Sequence, residues 1–412
     1  MPETSWITAL EIKNVRHLKD LYINLGSDAM RHLMLTGPNG VGKTSVLNAL
    51  IDHLVALAED SNLQFNDLEK MRAYWQERIS QIDQTKDPHG FQTARNQLSH
   101  QISRINRFWG AVRPTYTDES AIPLLYNEQK FVIAYYSDFR QSRFVAPTNP
   151  EKPNLKFKIR DNKVNEFLKF LVDLKVQQAL ARNEGNIVDA DDIEAWFTTF
   201  INILRELFHD ANLVLKFNYH DYSFLIETQG RSFPFTGLSA GYSAALDIVA
   251  DLILKMQATN RHVRVFDRPG IVLIDEIETH LHLSLQKEIL PILTRIFPKI
   301  QFIVTTHSPF VLNSIKNAVV YDLVSKQTIE DLTDYSYSSL AEGYFGVETE
   351  SGDLKAKLDE LSILIEKGDA QSKEKIERIF LEFEKIPDAI APKIKARCSD
   401  LRRKYYSRMS HV

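Results

Sequence analysis

Near its N-terminus the chain contains Gly37-Pro38-Asn39-Gly40-Val41-Gly42-Lys43-Thr44. This run, called the phosphate loop below, matches the pattern G-x-x-x-x-G-K-[ST] and stands between a strand-like segment at 33–35 and a helical segment at 45–57. Its glycines let backbone N–H groups curl around a polyphosphate, and the following helix points its positive end at the same anion. Lys43 is predicted to reach the β- and γ-phosphates, and the Thr44 hydroxyl to bind Mg²⁺. The phosphate loop and Ser45 are therefore candidate nucleotide-binding residues.

Composition limits what the rest of the chain can be. The sequence has 412 residues, of which 44% are hydrophobic and 25% charged, and its net charge is −4. This length suits two to three domains, or one large α/β domain with an insertion. Because the chain is not basic overall, any contact with DNA or RNA must come from a local patch.

The compartment is predicted from what the sequence lacks. Cys398 is the only cysteine, which excludes an intramolecular disulfide and fits a reducing compartment. The first residues do not resemble a signal peptide, and no run approaches the ~18 apolar residues of a membrane span. We therefore expect a soluble, cytoplasmic protein with no membrane partner.

A pair of acids supplies the second part of a candidate active site. The strand-like segment 271–274 ends in Asp275 and Glu276. Taken alone, the pair could equally be a surface turn. Beside a phosphate loop, the arrangement places the first carboxylate on Mg²⁺ and the second next to the attacking water. Asp275 is therefore predicted to be a metal ligand and Glu276 the general base.

A histidine follows another strand-like segment. Residues 301–306 lead directly to His307. In a parallel sheet this strand would deliver His307 to the edge where ligands bind, beyond the carboxyl ends of the strands. There a histidine can sense or polarise the γ-phosphate. The alternative is that His307 only caps the turn at Ser308-Pro309.

A turn of small residues at 236–241 precedes the apolar helical segment 244–256. Its sequence is Thr236-Gly237-Leu238-Ser239-Ala240-Gly241. A small-residue turn that opens a helix is a second anion site. Since the chain already has a phosphate loop, we hypothesise that Ser239 and Gly241 meet the γ-phosphate of a nucleotide held by another subunit.

The spacing of apolar residues suggests how the chain is divided. Residues 62–109 are polar with apolar residues at helical spacing, and Pro88-His89-Gly90 interrupts them. This pattern predicts an antiparallel helical hairpin inserted into the nucleotide-binding domain. The predicted boundaries are a head at 1–55 and 126–325, a hairpin insertion at 56–125 and a C-terminal helical tail at 326–412.

The tail is predicted to be helical and highly charged. Leu354, Leu358, Leu361 and Ile365 recur at helical spacing, and a basic cluster occupies 393–408. Such an amphipathic tail suits docking to another chain or to nucleic acid. The alternative is that the stripe packs on this chain itself, as many such stripes do.

Taken together, the motifs resemble those of the ABC-type ATPases of the RecF, SMC and OLD lineage, over about residues 6–320. The residues that carry the resemblance are the phosphate loop, Leu238 to Gly241, Asp275-Glu276 and Thr306-His307-Ser308. The resemblance implies an α/β fold: an ABC-ATPase head with a P-loop parallel sheet, an antiparallel β subdomain, an inserted helical hairpin and a C-terminal helical tail. It implies ATP and Mg²⁺ as cofactors, bound in a head-to-head dimer or a larger even assembly. The glutamine that contacts metal or water in this family matches Gln141, with Arg140 as a competing assignment.

Two further stretches resemble one branch of this lineage. Residues 276–282 read Glu-Ile-Glu-Thr-His-Leu-His, and Tyr344-Phe345-Gly346-Val347 precedes charged helices. Both look like the ATPase subunits of bacterial phage-defence systems of the Septu and retron-linked types. That resemblance implies a dimeric ATPase that senses or clamps DNA or RNA and controls a separately encoded effector, a nuclease of HNH or Toprim type.

The sequence is also compatible with functions other than control of a separate effector. No metal-clustered carboxylates, His/Asn nuclease set or Toprim-like acidic pattern follows His307, so we expect no nuclease domain in this chain. The alternative function is RecF/SMC-like DNA repair or chromosome maintenance. A nucleotide-gated scaffold that hardly hydrolyses ATP is a third possibility, which Glu276 disfavours because a scaffold needs no general base.

Overall fold

The computed structural model describes residues 4–60, 65–139, 143–257, 266–330, 332, 333, 335, 337, 339, 340, 352–367, 372–386 and 392–409. The chain divides into two compact units, Met1–Tyr335 and Ser336–Val412. No helix among these residues is long and apolar enough to cross a membrane.

The first unit contains three sheets. Its strands are β1 (Ile7–Val15), β2 (Leu18–Asn24), β3 (His32–Thr36), β4 (Val112–Tyr116), β5 (Val132–Tyr136), β6 (Val214–Asn218), β7 (Ser223–Thr228), β8 (Arg231–Pro234), β9 (Gly270–Ile274), β10 (Ile300–Thr305), β11 (Ala318–Asp322) and β12 (Gln327–Glu330). Its helices are α1 (Lys43–Ala58), α2 (Phe65–Gln81), α3 (Pro88–Trp109), α4 (Ala121–Asn127), α5 (Phe167–Asn183), α6 (Ile187–Phe208), α7 (Ala240–Met256), α8 (Leu283–Ile296) and α9 (Pro309–Leu312), with short 3-10 turns at Val164–Glu166 and Phe235–Gly237.

The large sheet determines where the motifs meet. Its six strands run in the order β12-β11-β3-β10-β9-β5, and all neighbours are parallel except β11 and β12. Every residue of β3, β9 and β10 is buried, as expected for parallel strands covered on both faces. Because parallel strands end at one edge, β3, β5, β9 and β10 bring the segments that follow them to the same edge. This confirms the predicted α/β fold with a parallel sheet.

Two small antiparallel sheets complete the first unit, in the orders β2-β1-β4 and β6-β7-β8. Gln301 of β10 joins the first of these to the large sheet. Its buried side chain accepts a hydrogen bond from the Ile7 N–H (2.8 Å) and donates to the carbonyl oxygens of Ile7 (2.8 Å) and Arg31 (2.7 Å). The antiparallel β subdomain is therefore fixed to the large sheet by buried hydrogen bonds.

The helical hairpin is formed by α2 and α3, which pack together. Asp87 caps α3 by accepting a hydrogen bond from the Gly90 N–H at 2.8 Å, and Pro88 occupies the first turn. The insertion drawn from the sequence at 56–125 is longer than this hairpin: α1 continues to Ala58, and β4 pairs with β1. The predicted boundary between head and tail, at residues 325 and 326, is also misplaced, because β12 pairs with β11 and extends the large sheet beyond residue 325.

The second unit contains the helices α10 (Gly352–Lys367), α11 (Lys373–Glu384) and α12 (Pro392–Met409). Leu358, Leu361 and Ile365 are at most 3% exposed, and they pack with Phe380 and Phe383 of α11. The prediction that this stripe is free to dock a partner is therefore wrong, because it forms the core of its own helical unit. The aromatic run at 344–347 lies outside the described residues.

The basic cluster of α12 is also largely occupied within the second unit. Four of its described side chains form ion pairs with acids of the three helices: Arg397 with Asp359 (2.9 Å), Arg402 with Glu384 (2.5 Å), Lys404 with Glu366 (3.5 Å) and Arg403 with Asp400 (3.1 Å). The side chains of Lys393 and Arg408 lie outside the described set. These basic side chains are therefore paired with acids at an exposed surface, and their contact with a partner or nucleic acid stays a prediction.

Candidate active site

The phosphate loop connects the end of β3 to the start of α1. Gly37, Gly40 and Gly42 have φ angles of 131°, 83° and 103°, which side-chain-bearing residues rarely adopt. Gly42 is the N-cap of α1, and the Val46 N–H donates to its carbonyl oxygen at 3.0 Å. The N–H groups of Lys43, Thr44 and Ser45 thus lie in the first turn, where an α-helix offers donors to an anion.

Lys43 is buried beside the predicted catalytic acids. Its ammonium donates hydrogen bonds to the carbonyl oxygens of Gly37 (2.7 Å) and Pro38 (3.3 Å), and the residue is 5% exposed. Burial lowers the pKa of Lys43, and the nearby carboxylates of Glu276, Glu278 and Asp275 oppose this shift. The phosphate loop and the acids that follow β9 therefore share one electrostatic environment.

Asp275 is hydrogen-bonded to the threonine at the end of β10. Its Oδ1 accepts a hydrogen bond from the Thr305 hydroxyl at 2.5 Å. Burial raises the pKa of Asp275, whereas its hydrogen bonds with the hydroxyl groups of Thr305 and Thr44 lower it. Its Oδ2 is buried and has no hydrogen-bond partner among the described residues. A free carboxylate oxygen beside the Thr44 hydroxyl fits Mg²⁺, which binds through one or two carboxylates and hydroxyl oxygens.

Glu276 has an unusual backbone conformation. Its φ angle is 44°, in the left-handed region that few residues other than glycine adopt without support from their surroundings. Its N–H donates to the Thr305 hydroxyl oxygen at 2.7 Å, and the Thr279 hydroxyl donates to its Oε2 at 3.4 Å. The turn therefore holds a half-buried carboxylate next to Asp275.

His307 is held by a buried acid. Glu278 is 6% exposed, and its Oε1 accepts a hydrogen bond from the His307 N–H at 2.7 Å and lies 3.3 Å from His307 Nδ1. The cap of α9 is provided by Ser308, whose hydroxyl oxygen accepts from the Phe310 N–H at 3.2 Å. Capping does not require His307, whose imidazole stays partly exposed near the acids.

Three residues of this group were not predicted from the sequence. Thr305 and Glu278 form the contacts just described, and the carboxylate of Asp138 is close enough to raise the pKa of Asp275. Asp138 could have been found, because it follows β5 as Asp275 follows β9. Gln141 and its competitor Arg140 lie outside the described residues.

Ser239 and Gly241 lie at the start of α7. Ser239 is the exposed N-cap residue, and its hydroxyl makes no capping hydrogen bond. Gly241 lies against the loop that follows Glu276, since an added Cβ would stand 3.2 Å from His282 Cδ2 and 3.3 Å from the His280 carbonyl oxygen. Thr305 contacts both Asp275 and Glu276, and Glu278 of the 276–282 loop holds His307. Gly241 lies against that loop, and Lys43 is close enough to the acids for their charges to affect its pKa.

Comparison with other proteins identifies relatives of the chain. The chain is 28% identical over 388 residues to the Septu protein PtuA of Bacillus mycoides (strain KBAB4), which covers 90% of this chain and 48% of that protein. It is 44% identical over 91 residues to the Retron Ec83 probable ATPase of Escherichia coli, which covers 22% of this chain and 17% of that protein. The chain thus spans at most about half the length of these relatives. The predicted resemblance to Septu and retron ATPases is confirmed.

A solved structure and a family model also match. The crystal structure of the SmcHead bound to the C-winged helix domain of ScpA aligns with a TM-score of 0.37 and 15% identity, over 78% of this chain and 96% of that one. The family model described as "AAA domain, putative AbiEii toxin, Type IV TA system" matches residues 61–313. That range is more than half of the chain and includes Ser239, Asp275, Glu276 and His307, although it begins after the phosphate loop. The chain belongs to this AAA-domain family.

Proposed function

We propose that the chain binds ATP with Mg²⁺ at the carboxyl edge of the large sheet and hydrolyses it. The main support is the buried Oδ2 of Asp275, which has no hydrogen-bond partner among the described residues and lies at the sheet edge that also carries the phosphate loop. The end of β3 leads into the phosphate loop and the end of β9 into a carboxylate at the same edge of the sheet, as phosphoryl-transfer sites require. Membership of an AAA-domain family supports the same activity.

Each residue of the site has a proposed role. The phosphate loop and the first turn of α1 donate N–H groups to the phosphates, and Lys43 leaves its loop carbonyls to pair with the β- and γ-phosphates. Thr44 and Asp275 would hold Mg²⁺, which would supply positive charge against the negative charge of the phosphates. Glu276 accepts the proton of the attacking water. His307, fixed by Glu278, donates a hydrogen bond to the γ-phosphate.

The binding part of the proposal is tested with Lys43→Ala. We expect ATP affinity to fall about 10- to 100-fold, because a charge-assisted hydrogen bond to phosphate is lost. Lys19→Ala is the matched control, since Lys19 is an exposed lysine of β2 in the same unit. Titration of a fluorescent ATP analogue measures both variants. Wild-type protein that binds no ATP, or equal affinity in Lys43→Ala and Lys19→Ala, contradicts the proposed site.

We further propose that two copies of the chain complete each site. Ser239 is exposed at the N-terminus of α7, and its hydroxyl is not used as a cap. That N-terminus is a suitable donor for the γ-phosphate of a nucleotide held by a second copy. In this arrangement each nucleotide is bound by the phosphate loop of one copy and by Ser239 and Gly241 of the other.

Mixed subunits test the shared site. Ser239→Arg blocks the partner's nucleotide and Lys43→Ala disables the subunit's own loop, so a heterodimer of the two variants keeps one intact composite site. Each variant alone should be inactive, and the mixture should regain part of the wild-type hydrolysis rate. Inactivity of every mixing ratio, with heterodimers shown to form, contradicts the shared site.

We propose finally that the ATPase acts in antiviral defence by sensing or clamping nucleic acid and controlling a separately encoded effector, a nuclease of HNH or Toprim type. The similarity to Septu and retron proteins supports this role. The buried stripe of the second unit is not the docking surface for that effector. Lys43→Ala should abolish protection against phage while the protein of the neighbouring gene is still made and still copurifies. Full protection by Lys43→Ala contradicts an ATP-dependent defence role.

A further inference from the structure

Thr305 makes contacts that packing alone does not require. It is the last residue of β10 and is fully buried. Its hydroxyl donates a hydrogen bond to Asp275 Oδ1 at 2.5 Å and accepts one from the Glu276 N–H at 2.7 Å. A threonine hydroxyl has a single proton to donate. That proton is directed at Asp275, the proposed metal ligand.

The backbone of Thr305 holds the next residue of the same turn. Its carbonyl oxygen accepts a hydrogen bond from the Ile277 N–H at 3.2 Å. The strand register explains this contact. Val304 is paired with Ile274, the last residue of β9, so Thr305 lies beside the turn that begins at Asp275. Thr305 therefore contacts three consecutive residues: the side chain of Asp275 and the N–H groups of Glu276 and Ile277.

These contacts constrain the two acids with proposed roles in hydrolysis, Asp275 and Glu276. With Oδ1 of Asp275 bound to Thr305, the carboxylate cannot rotate freely, and Oδ2 keeps one direction. With its N–H bound to the same hydroxyl, Glu276 is supported in its left-handed conformation at φ 44°. One hydroxyl thus couples the orientation of the metal carboxylate to that of the general base.

We infer that Thr305 is a positioning residue that aligns Asp275 for Mg²⁺ and Glu276 for water through its single hydroxyl. The inference rests on the proposed ATPase function and deepens it. It differs from a packing role in one respect, because packing depends on the volume of the side chain and positioning depends on the hydroxyl. Valine has the shape of threonine without the hydroxyl, and serine has the hydroxyl without the methyl group.

Thr306 is the matched control. It is equally buried, but its hydroxyl accepts from the Ser308 N–H at 3.0 Å and has no contact with the two acids. Thr305→Val should lower kcat about 10- to 100-fold with the KM for ATP nearly unchanged, as expected when reacting groups are misplaced by a fraction of an ångström. Thr305→Ser should restore most of the rate. Thr306→Val should keep a rate near that of wild type.

A second measurement is independent of turnover. Mn²⁺ serves as the probe for the Mg²⁺ site, and its affinity is measured by electron paramagnetic resonance with a non-hydrolysable ATP analogue bound. Affinity should fall several-fold in Thr305→Val and stay at the wild-type value in Thr305→Ser and Thr306→Val. Melting temperatures of both valine variants should fall, and that of Thr305→Val should fall further, because the Thr305 hydroxyl makes two buried hydrogen bonds whereas that of Thr306 accepts one. If Thr305→Val does not fold, the pair Thr305→Ala and Thr306→Ala gives the same comparison.

Two outcomes overturn the inference. One is equal loss of kcat and Mn²⁺ affinity in Thr305→Val and Thr306→Val, and the other is a failure of Thr305→Ser to recover either quantity. The proposed function fails separately, if the wild-type protein does not hydrolyse ATP. In that case the Mn²⁺ measurement still decides the role of Thr305. If wild type hydrolyses ATP and Thr305→Val keeps its kcat and Mn²⁺ affinity, only the inference fails.

Discussion

The edge of the large sheet and the second unit both concentrate charge, but they use it differently. At the sheet edge, Asp275 and Glu278 are buried, and each keeps one carboxylate oxygen without a partner among the described residues. In the second unit the apolar stripe is the core, and the basic side chains described on α12 pair with acids at the surface. Buried polar groups without partners are costly, so their retention points to a ligand. The sheet edge therefore keeps buried carboxylate oxygens that a ligand could use. In the second unit, most of the apolar and basic side chains discussed above already contact other residues of the same unit.

The largest effect is expected in the core of the second unit. Phe380 of α11 is 1% exposed and packs against the Tyr405 ring, with 5.9 Å between ring centroids. Phe380→Ala should destabilise this unit by about 3–5 kcal/mol, as large-to-small core substitutions do. Leu381→Ala is the matched control on the same helix, because Leu381 is 54% exposed.

Hydrogen exchange of the α10 to α12 amides measures that loss, and ATP hydrolysis is followed in parallel. We expect faster exchange in Phe380→Ala alone, and wild-type hydrolysis in both variants. Equal exchange in Phe380→Ala and Leu381→Ala would mean that the stripe is not a core, and the contrast with the sheet edge would disappear.

Mild acid should weaken the first unit selectively. Burial lowers the pKa of His32 and of His53 to about 4, from an ordinary value of 6.5. Folding favours the neutral imidazoles, so their stabilising contribution is complete above pH 6.5 and is lost as the pH falls towards 4. At pH 5 the loss is about 2 kcal/mol for each histidine. The described residues of the second unit contain no histidine.

Calorimetry of the full chain between pH 7 and pH 5 tests this contrast. His53→Gln should reduce the pH dependence of the first unit's melting temperature, because one of the two groups no longer titrates. His100→Gln, at an exposed position of α3, should leave that dependence as in wild type. The same pH dependence in all three proteins would show that the buried histidines do not control it.

A smaller effect is expected from the acid that holds His307. Glu278→Leu removes the acceptor of the His307 N–H and should lower kcat about tenfold while ATP affinity is kept. Glu278→Gln retains an acceptor oxygen and should lose less. Steady-state kinetics of both variants shows whether Glu278→Leu loses more kcat than Glu278→Gln, and ATP titration shows whether affinity is kept. Glu278→Leu with wild-type kcat would remove Glu278 from the site.

The smallest effect is expected for the surface ion pairs of the second unit. Arg397 and Asp359 are each 53% exposed, and such pairs contribute at most about 1 kcal/mol. Arg397→Gln should therefore change stability little and should leave the salt dependence of DNA binding unchanged. A clear loss of DNA affinity in this variant would show that the paired cluster is a nucleic-acid surface after all.

The sequence predicted which candidate residues follow the buried strands better than it predicted the limits of the domains. The phosphate loop, Asp275, Glu276 and His307 could be located because each follows a buried strand, and parallel strands end at one edge. Thr305 and Glu278 could not be identified from the sequence. Their contacts depend on how the end of β10 is aligned with the end of β9. That information comes from the register of β9 and β10 and not from either segment alone.

Two wrong predictions, one about a domain boundary and one about the apolar stripe of the tail, have physical causes. The segment of β4 contains Pro114, which disfavours a strand, yet the sheet order β2-β1-β4 places it at an edge where proline is tolerated. Amphipathic spacing in 354–365 correctly indicated a helix with one apolar face. It could not say what covers that face, because α11 and α12 carry the matching apolar residues.

The decisive variant for ATP hydrolysis at the sheet edge is Glu276→Gln. Glutamine keeps the size and hydrogen-bonding reach of glutamate but cannot accept the proton of water. We expect ATP and Mg²⁺ to bind as in wild type while the single-turnover hydrolysis rate falls ~10²-fold or more. A Glu276→Gln protein that hydrolyses ATP at the wild-type rate would contradict the assignment of the base, and with it the proposed chemistry of the sheet edge.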